Sequence, residues 1–265
     1  MSNRVLIIAG SDPGGGAGIQ GDIKTVTALR GYASAAITAL TAQNTQGVYG
    51  IHDVPPAFIR QQITLVLEDI GTDAIKTGML HTAEVIEAIA DTFTPYRHIP
   101  FVLDPVMFAK GGAALLKPEA TATLKTRLIP LAYIVTPNIP EAAYLAGMDI
   151  RSTDDMLQAA RHILQLGCKA IFLKGGHLDG DTIYDMLVTA EGSQLFEQPR
   201  LHTTHTHGTG CTLASAIATG LAQGMALDDA VARARRYVRL AIEHAPGLGK
   251  GHGPLGHAHT VGKFD

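Results

Sequence analysis

Short apolar segments alternate with amphipathic segments along the whole chain, and this alternation constrains the fold most strongly. Residues 4–10 (RVLIIAG), 74–80 (AIKTGML) and 100–107 (PFVLDPVM) have the length and composition of buried β-strands. Between the strands, segments such as residues 55–70 place apolar side chains at helical spacing. This pattern predicts an α/β fold with a mainly parallel sheet covered on both faces. Because no linker or shift in composition interrupts it, residues 1–265 are predicted to form one domain.

The composition limits the classes of protein to which the chain can belong. With 46% hydrophobic and 17% charged residues, it is typical of soluble globular proteins. It has no apolar run long enough to span a membrane, and its first apolar stretch is too short for a signal peptide. A net charge of −3 disfavours a nucleic-acid partner. The two cysteines, Cys168 and Cys211, are far apart and suit a reducing compartment, so a cytoplasmic protein is expected.

A glycine-rich loop, residues 205–212 (HTHGTGCT), runs directly into a segment with helical spacing of apolar residues. Its unpaired backbone N–H groups and the positive end of the helix dipole favour the binding of a phosphate or a developing anion. In that field the thiol of Cys211 is predicted to ionise more easily. The same residues also fit a tight turn into a packed helix with a buried thiol, and the loop alone does not separate the two interpretations.

Polar residues follow several predicted strands, at the sheet edge where ligands bind in α/β proteins. We predict that one site at this edge contains Asp12, Gln43, Lys76, Asp104, Asn138, Glu141, Lys174 and Cys211. Asp104 and Glu141 would supply the carboxylates that Mg²⁺ takes beside water and phosphate oxygens. Glu141 also fits a simpler role, in which it complements the dipole at the start of its own helix.

A second glycine-rich loop lies near the N-terminus, and neither loop fits a common nucleotide-binding fingerprint. Gly14, Gly15, Gly16 and Gly18 lack the G-x-G-x-x-G spacing, and no GK[ST] follows a glycine loop. These absences disfavour a dinucleotide-dependent dehydrogenase and a P-loop enzyme. We predict instead that one loop cradles the acceptor and the other the transferred phosphate.

Seven segments, in order along nearly the whole chain, resemble the hydroxymethylpyrimidine/phosphomethylpyrimidine kinase branch of the ribokinase-like superfamily. They are residues 9–25 (AGSDPGGGAGIQGDIKT), 39–48 (ALTAQNTQGV), 75–80 (IKTGML), 102–107 (VLDPVM), 135–145 (VTPNIPEAAYL), 172–177 (FLKGGH) and 205–218 (HTHGTGCTLASAIA). The resemblance implies a ribokinase-like three-layer α/β/α sandwich without a large lid domain. It also implies ATP- and Mg²⁺-dependent phosphorylation of 4-amino-5-hydroxymethyl-2-methylpyrimidine, and then of its monophosphate, in thiamine biosynthesis.

The resemblance implies a role for each matched residue and, in addition, a homodimer. The catalytic anion hole comprises Gly208, Thr209, Gly210 and Cys211. The pyrimidine pocket comprises Gln43, Gly10, Ala17, Asp22, Met79 and Val106. ATP and its phosphates are assigned to Lys174, Asn138 and Thr206, and Mg²⁺ to Asp104 and Glu141. We favour a partly ionised Cys211 that accepts the proton of the acceptor hydroxyl as a base; the alternative is that it only positions that hydroxyl.

Two other functions remain open. Close relatives within the superfamily phosphorylate pyridoxal, although Gln43 favours an aminopyrimidine because its amide both donates and accepts hydrogen bonds. A non-catalytic pyrimidine-binding sensor is disfavoured by the presence of Asp104, Glu141 and Lys174. The glycine- and histidine-containing tail, residues 248–265, is predicted to be flexible.

Overall fold

One sheet organises the protein in the computed structural model, which describes residues 3–109, 112 and 114–262. Its strands are β1 (Arg4–Ser11), β2 (Tyr32–Asn44), β3 (Gly47–Asp53), β4 (Ala74–Thr77), β5 (Phe101–Leu103), β6 (Ile134–Val135), β7 (Ala170–Leu173), β8 (Thr182–Thr189) and β9 (Ser193–Pro199). Within the described residues, nine strands pair in the order β3-β2-β1-β4-β5-β6-β7-β8-β9. All pairs from β2 to β7 are parallel, and β3, β8 and β9 extend the two edges in antiparallel pairing. The predicted mainly parallel sheet is confirmed.

Helices cover both faces of this sheet. They are α1 (Gly18–Ala28), α2 (Pro56–Leu65), α3 (Ala83–Phe93), α4 (Ala120–Thr123), α5 (Ile139–Ala146), α6 (Thr153–Leu164), α7 (Thr209–Ala222) and α8 (Leu227–Glu243). One apolar cluster joins the sheet to α2 through α6, and a second joins its other face to α1, α7 and α8. The expected three-layer α/β/α arrangement is therefore confirmed. In the described part of the chain, no helix is both long enough and apolar enough to cross a lipid bilayer.

Strand β1 shows why the central strands have continuous apolar sequences. Leu6 and Ile8 belong to one apolar cluster, Val5 and Ile7 belong to the other, and all four side chains are fully buried. Successive side chains of a strand point to opposite faces, so a strand covered on both faces needs an apolar residue at every position.

The order of the strands reverses at β1, which pairs with β2 on one side and with β4 on the other. Chain connections diverge at such a point and leave a crevice outside the carboxyl ends of the strands, where ligands of open α/β sheets bind. The topology therefore places the end of β1 and the residues that follow it at the expected binding edge.

Strand β3 is the element that the sequence pattern missed. Most of its residues are exposed or half-buried, and it pairs only with the long extension of β2. An exposed edge strand with two glycines carries no buried apolar run by which periodicity detects it. In contrast, the antiparallel hairpin of β8 and β9, which turns at Glu191 and Gly192, has buried residues along β8.

The tail is packed rather than flexible, which corrects the prediction made for residues 248–265. We call residues 249–256 the C-terminal strap. Its Leu255 is buried, and its Gly256 N–H donates to the carbonyl of Ala241 at 2.8 Å. The many glycines, which suggested flexibility, instead allow close backbone approach, since a Cβ at Gly251 would collide with the carbonyl of Thr45. The last three residues of the predicted tail, 263–265, lie outside the described residues.

Candidate active site

Helix α7 begins at the carboxyl edge of the sheet, and the residues that lead into it form what we call the anion loop (residues 205–210). Gly208 has a φ of 86°, in the left-handed region that favours glycine. A Cβ at this position would collide with the carbonyl oxygen of Gly16. The anion loop therefore lies directly against the N-terminal glycine-rich loop. From Thr212 to Gly220 every residue of α7 is buried, which anchors the start of the helix.

Asp12 organises the N-terminal loop, which we call the aspartate loop (residues 12–18). Its Oδ1 accepts from the N–H of Gly14 at 2.7 Å, and its Oδ2 accepts from the N–H groups of Gly16 and Ala17 at 3.1 and 2.8 Å. Nε2 of His207 donates to the same Oδ2 at 2.9 Å. Burial alone would raise the pKa of Asp12, but His207 and the backbone donors together lower it. The carboxylate is therefore ionised and fully engaged within the protein.

Lys174 and Asp104 form an ion pair at the start of α7. Lys174 Nζ donates to Asp104 Oδ1 at 2.9 Å, and Thr136 Oγ1 donates to the same oxygen at 3.0 Å. A Cβ on Gly210 would lie 3.1 Å from Lys174 Nζ and 3.8 Å from Asp104 Oδ2. These contacts bring the ends of β5, β6 and β7 together with the anion loop. The predicted convergence of Asp104, Lys174 and the glycine loop is therefore observed.

Glu141 both caps helix α5 and belongs to this charged cluster. Its Oε2 accepts from the N–H of Asn138 at 2.8 Å, and Asn138 Oδ1 accepts from the N–H of Glu141 at 2.9 Å, forming a capping box. Burial raises the pKa of Glu141 to about 7, Lys174 opposes this effect, and Asp104 adds to it. Glu141 thus has the simpler role at the start of its own helix that was considered from the sequence. The carboxylate of Asp104 is also near enough to affect the ionisation of Glu141.

These carboxylates fit a Mg²⁺ ion that arrives with a nucleotide. Among the described residues, no three or more His, Cys, Asp or Glu side chains are grouped as a metal site. Asp104 and Glu141 provide the one or two carboxylates that Mg²⁺ commonly uses when water and substrate phosphates supply the other ligands. These two carboxylates therefore suit a Mg²⁺ ion that binds together with a nucleotide better than one that the protein holds by itself.

A buried ion pair lies beneath the start of α7. Lys76 Nζ donates to both carboxylate oxygens of Asp22 at 2.8 and 2.7 Å, and Ser215 Oγ donates to Oδ1 at 2.7 Å. Neither charged side chain has exposed surface. Burial alone would lower the pKa of Lys76, but the charge and hydrogen bond of Asp22, together with the neighbouring Cys211 and Asp104, outweigh burial and raise it. Two predictions are corrected here, because Asp22 does not line an open pocket and Lys76 is not a ligand group at the edge.

The thiol of Cys211 is harder to ionise than the sequence suggested. Burial raises its pKa to about 11 and outweighs Lys76, which lowers it, while Asp22 and Asp104 raise it further. The positive end of α7 is therefore not the dominant influence on this group. Burial therefore works against the partly ionised Cys211 that the sequence suggested, and its role as a base stays a prediction.

The remaining residues predicted for the acceptor lie at or just after the ends of β1, β2, β4 and β5. Met79 is buried with Ala39 and Leu115, Val106 packs on them, and a Cβ at Gly10 would lie 3.2 Å from the sulfur of Met79. Gln43 is half-buried near the end of β2. Within the described residues its side-chain amide has no hydrogen-bond partner in the protein, so its donor and acceptor remain free. The binding roles of these residues, and of Ala17 and Thr206, stay predictions.

Sequence reasoning missed His207 and Thr136. Each contacts a carboxylate of the site, His207 that of Asp12 and Thr136 that of Asp104. The signal for Thr136 was its position at the end of a strand. No sequence pattern could pair His207 with Asp12, which is 195 residues away.

A separate cavity of about 730 Å³ opens at the amino ends of β6 and β7, lined in part by Tyr133, Cys168, Lys169 and Glu191. It contains none of the residues predicted to bind ligands. Sheet topology favours the carboxyl edge as the functional site.

Comparison with known proteins identifies the family of the chain. A family model described as phosphomethylpyrimidine kinase matches residues 12–256. The chain belongs to the phosphomethylpyrimidine kinase family. Members of this family are phosphotransferases, and so is this chain. Because the chain is a phosphotransferase, the non-catalytic pyrimidine-binding sensor considered from the sequence is excluded.

Two curated relatives illustrate the extent of the match. The chain is 55% identical over 253 residues to the thiamine biosynthesis bifunctional protein ThiED of Geobacter sulfurreducens, with 96% of this chain and 52% of that protein covered. It therefore spans about half the length of that relative. It is 48% identical over 255 residues to the hydroxymethylpyrimidine/phosphomethylpyrimidine kinase of Bacillus subtilis, with 96% of this chain and 94% of that protein covered.

A solved structure confirms the ribokinase-like fold. The ADP complex of Bacillus subtilis pyridoxal kinase superposes with a TM-score of 0.89 at 35% identity, and covers 97% of this chain and 98% of the other. In our kinase the start of α7, Lys174 and Asp104 thus stand within a fold shared with a nucleotide-binding relative.

Proposed function

We propose that this chain transfers the terminal phosphoryl group of ATP to the hydroxymethyl group of 4-amino-5-hydroxymethyl-2-methylpyrimidine, and in a second reaction to the resulting monophosphate, in thiamine biosynthesis. The observation that carries the proposal is the glycine-rich start of α7 beside the Lys174–Asp104 pair. The name of the Bacillus subtilis relative supports this acceptor. In the first reaction the hydroxyl oxygen bonds to the γ-phosphorus, the bond from that phosphorus to the bridging oxygen breaks, ADP leaves and the hydroxyl proton is released. In the second reaction a phosphate oxygen of the monophosphate bonds to the γ-phosphorus, the same bond of ATP breaks and ADP leaves.

The anion loop holds the transferred phosphoryl group. In the described part of the chain, the backbone N–H groups of Gly210 and Cys211 have no carbonyl acceptor, and both point from the first turn of α7. The ammonium of Lys174 lies beside them. Phosphoryl transfer depends mainly on positioning and on charge stabilisation, and one preorganised donor of this kind is worth about 3 kcal/mol of the barrier.

Asp104 and Glu141 would hold Mg²⁺ on the nucleotide, with Asn138 and Thr206 near the phosphates. When bound, Mg²⁺ neutralises charge on the phosphate oxygens. Within the protein, Lys174 and Thr136 fix the carboxylate of Asp104, and the capping box fixes that of Glu141. These bonds preorganise both carboxylates. Both oxygens of Glu141 are engaged, since its Oε1 also accepts from the N–H of Met107 at 3.4 Å, whereas the two bonds to Asp104 both fall on Oδ1.

The acceptor ring lies against Gly10, Met79, Val106 and Ala17, with the side-chain amide of Gln43 on its polar edge. An amide that both donates and accepts matches a ring nitrogen beside an exocyclic amine. Cys211 contributes as a neutral thiol that positions the hydroxyl. A loose transition state needs little base strength, so the proton leaves late.

Pyridoxal is the second candidate acceptor, because the superposed Bacillus subtilis enzyme is a pyridoxal kinase. The test offers three acceptors separately with ATP and Mg²⁺: the hydroxymethylpyrimidine, its monophosphate and pyridoxal. We expect both pyrimidines to be phosphorylated with a kcat/KM well above that for pyridoxal. Preference for pyridoxal would overturn the acceptor assignment while leaving the kinase activity intact.

The active protein is a cytoplasmic homodimer. The family resemblance supports the dimer, and the sequence features described above support the compartment. Light scattering across a concentration series measures the mass of the purified protein directly. A mass near the monomer value of 27.9 kDa at all concentrations would contradict the dimer.

A further inference from the structure

Three separate segments meet at His207. Its Nε2 donates to Asp12 of the aspartate loop at 2.9 Å, and its backbone N–H donates to the carbonyl of Gly253 in the C-terminal strap at 3.1 Å. At Gly16 a Cβ would lie 2.6 Å from Cδ2 of His207 and 3.1 Å from Cβ of Pro254. The next residue along the chain, Gly208, already touches the carbonyl of Gly16. No space remains between the aspartate loop, the anion loop and the strap at this point.

The strap extends this junction to the end of β2. His252 donates its backbone N–H to the carbonyl of Thr45 at 2.8 Å. The N–H groups of Lys250 and Gly251 donate to Oγ1 of Thr45 at 3.1 and 3.2 Å. Thr45 lies two residues after Gln43, the residue proposed to recognise the acceptor ring. The strap therefore connects the acceptor end of β2 to His207.

We infer that His207 is a positioning residue, and that the C-terminal strap holds it so that the two glycine-rich loops keep a fixed separation during phosphoryl transfer. This inference rests on the proposed function, because the separation of the loops matters for catalysis only if one loop holds the acceptor and the other the transferred phosphate. Neither loop has a regular hydrogen-bond ladder of its own, so side-chain and backbone contacts of this kind set their geometry. A misplacement of about 1 Å in a reacting group costs roughly 100-fold in rate.

The first test compares His207→Leu with His207→Gln. Leucine cannot donate to Asp12, whereas the amide of glutamine can. We expect His207→Leu to lower kcat by about 100-fold with a smaller change in acceptor KM, and His207→Gln to recover most of the loss. Equal losses in the two variants, or wild-type kcat in His207→Leu, would overturn the inference. Thermal unfolding of both variants separates a loss of kcat from a loss of folded enzyme.

The second test moves the strap without changing His207. Gly251→Ala places a Cβ against the carbonyl of Thr45, whereas Gly262→Ala, in the same tail, meets no atom within 4 Å. We expect Gly251→Ala to lower kcat by about tenfold and Gly262→Ala to match the wild type.

Hydrogen–deuterium exchange provides a readout that does not depend on turnover. Amides of residues 12–18 should exchange faster in His207→Leu and in Gly251→Ala than in Gly262→Ala. Unchanged exchange in both of the first two variants would overturn the inference. A wild-type protein that fails to phosphorylate either pyrimidine would overturn the proposed function alone, because the exchange result would still report whether the junction positions the loop.

Discussion

Lys174 and Cys211 lie at the same helix start, and each keeps its common ionisation state, Lys174 despite burial and Cys211 because of burial. Burial would lower the pKa of Lys174, but Asp104 and Glu141 outweigh it and raise that pKa, so the ammonium persists. Burial raises the pKa of Cys211 to about 11, and Lys76 does not overcome it. The site therefore offers one fixed positive charge and one neutral thiol to the reacting groups.

The pH dependence of kcat tests the state of Cys211. A thiolate base with a pKa of about 11 would make kcat rise about tenfold per pH unit between pH 7.5 and 9.5. Because the neutral thiol only positions the hydroxyl, we expect kcat to stay within about twofold over this range. Cys211→Ser is the matched control, since its hydroxyl does not titrate here. A steep rise in the wild type that is absent from Cys211→Ser would restore the role as base.

At the scale of elements, the two ends of helix α7 contrast in what surrounds them. Gly208 and Gly224 flank the helix and both have positive φ, 86° and 78°. A Cβ at Gly208 would strike the aspartate loop, whereas one at Gly224 meets nothing within 4 Å. The start of α7 is thus fixed by a neighbouring loop, and its end is open to solvent.

This contrast predicts different costs for alanine at the two glycines. Gly224→Ala should lower the free energy of unfolding by about 1 kcal/mol, from backbone strain alone, and preserve kcat. Gly208→Ala adds a collision between backbones, so it should cost at least twice as much and lower kcat by about 100-fold. Urea denaturation and steady-state kinetics measure both effects. Equal stability and activity in the two variants would contradict the role given to the loop contact.

At the scale of the whole molecule, the C-terminal segment closes the fold around a neutral histidine. Nδ1 of His257 lies 3.1 Å from the hydroxyl of Tyr237 on α8, and both side chains are buried. Burial lowers the pKa of His257 to about 4, and Lys24 and His259 lower it further. The tail is therefore coupled to folding through a group that resists protonation.

The lowered pKa of His257 predicts that the folded protein loses stability in acid. Unfolded His257, with a pKa near 6.5, binds a proton as the pH falls below that value, whereas the folded side chain does so only near pH 4. Stability is thus fully present above pH 6.5 and decreases by up to about 3 kcal/mol as the pH falls to 4. Urea unfolding at several pH values should show a smaller decrease for His257→Phe. The exposed His98→Phe serves as control, and an identical decrease in both variants would contradict the prediction.

Local sequence patterns were sufficient to predict the layers of the fold and the meeting of several residues of the candidate site. Apolar runs predicted the central strands, and polar residues at their ends predicted the meeting of Asp104, Lys174 and the anion loop. The exposed strand β3 gave no such pattern. Lys76 was assigned to the edge because it is polar and close to a strand end, and Asp22 was assigned to the acceptor pocket from the family resemblance. Only packing shows that the two side chains neutralise each other in the interior.

The α/β architecture could be predicted from the amino-acid sequence because side-chain periodicity is a local property, and the family could be predicted from seven short matching segments. Only the tertiary structure decided the ionisation of Cys211, the pairing of His207 with Asp12 and the packing of the glycine-rich tail. These features depend on desolvation and on contacts between residues far apart in the chain. The tail shows the difference most clearly. Its glycines predicted flexibility in the sequence, whereas in the structure they allow the backbone to pack closely.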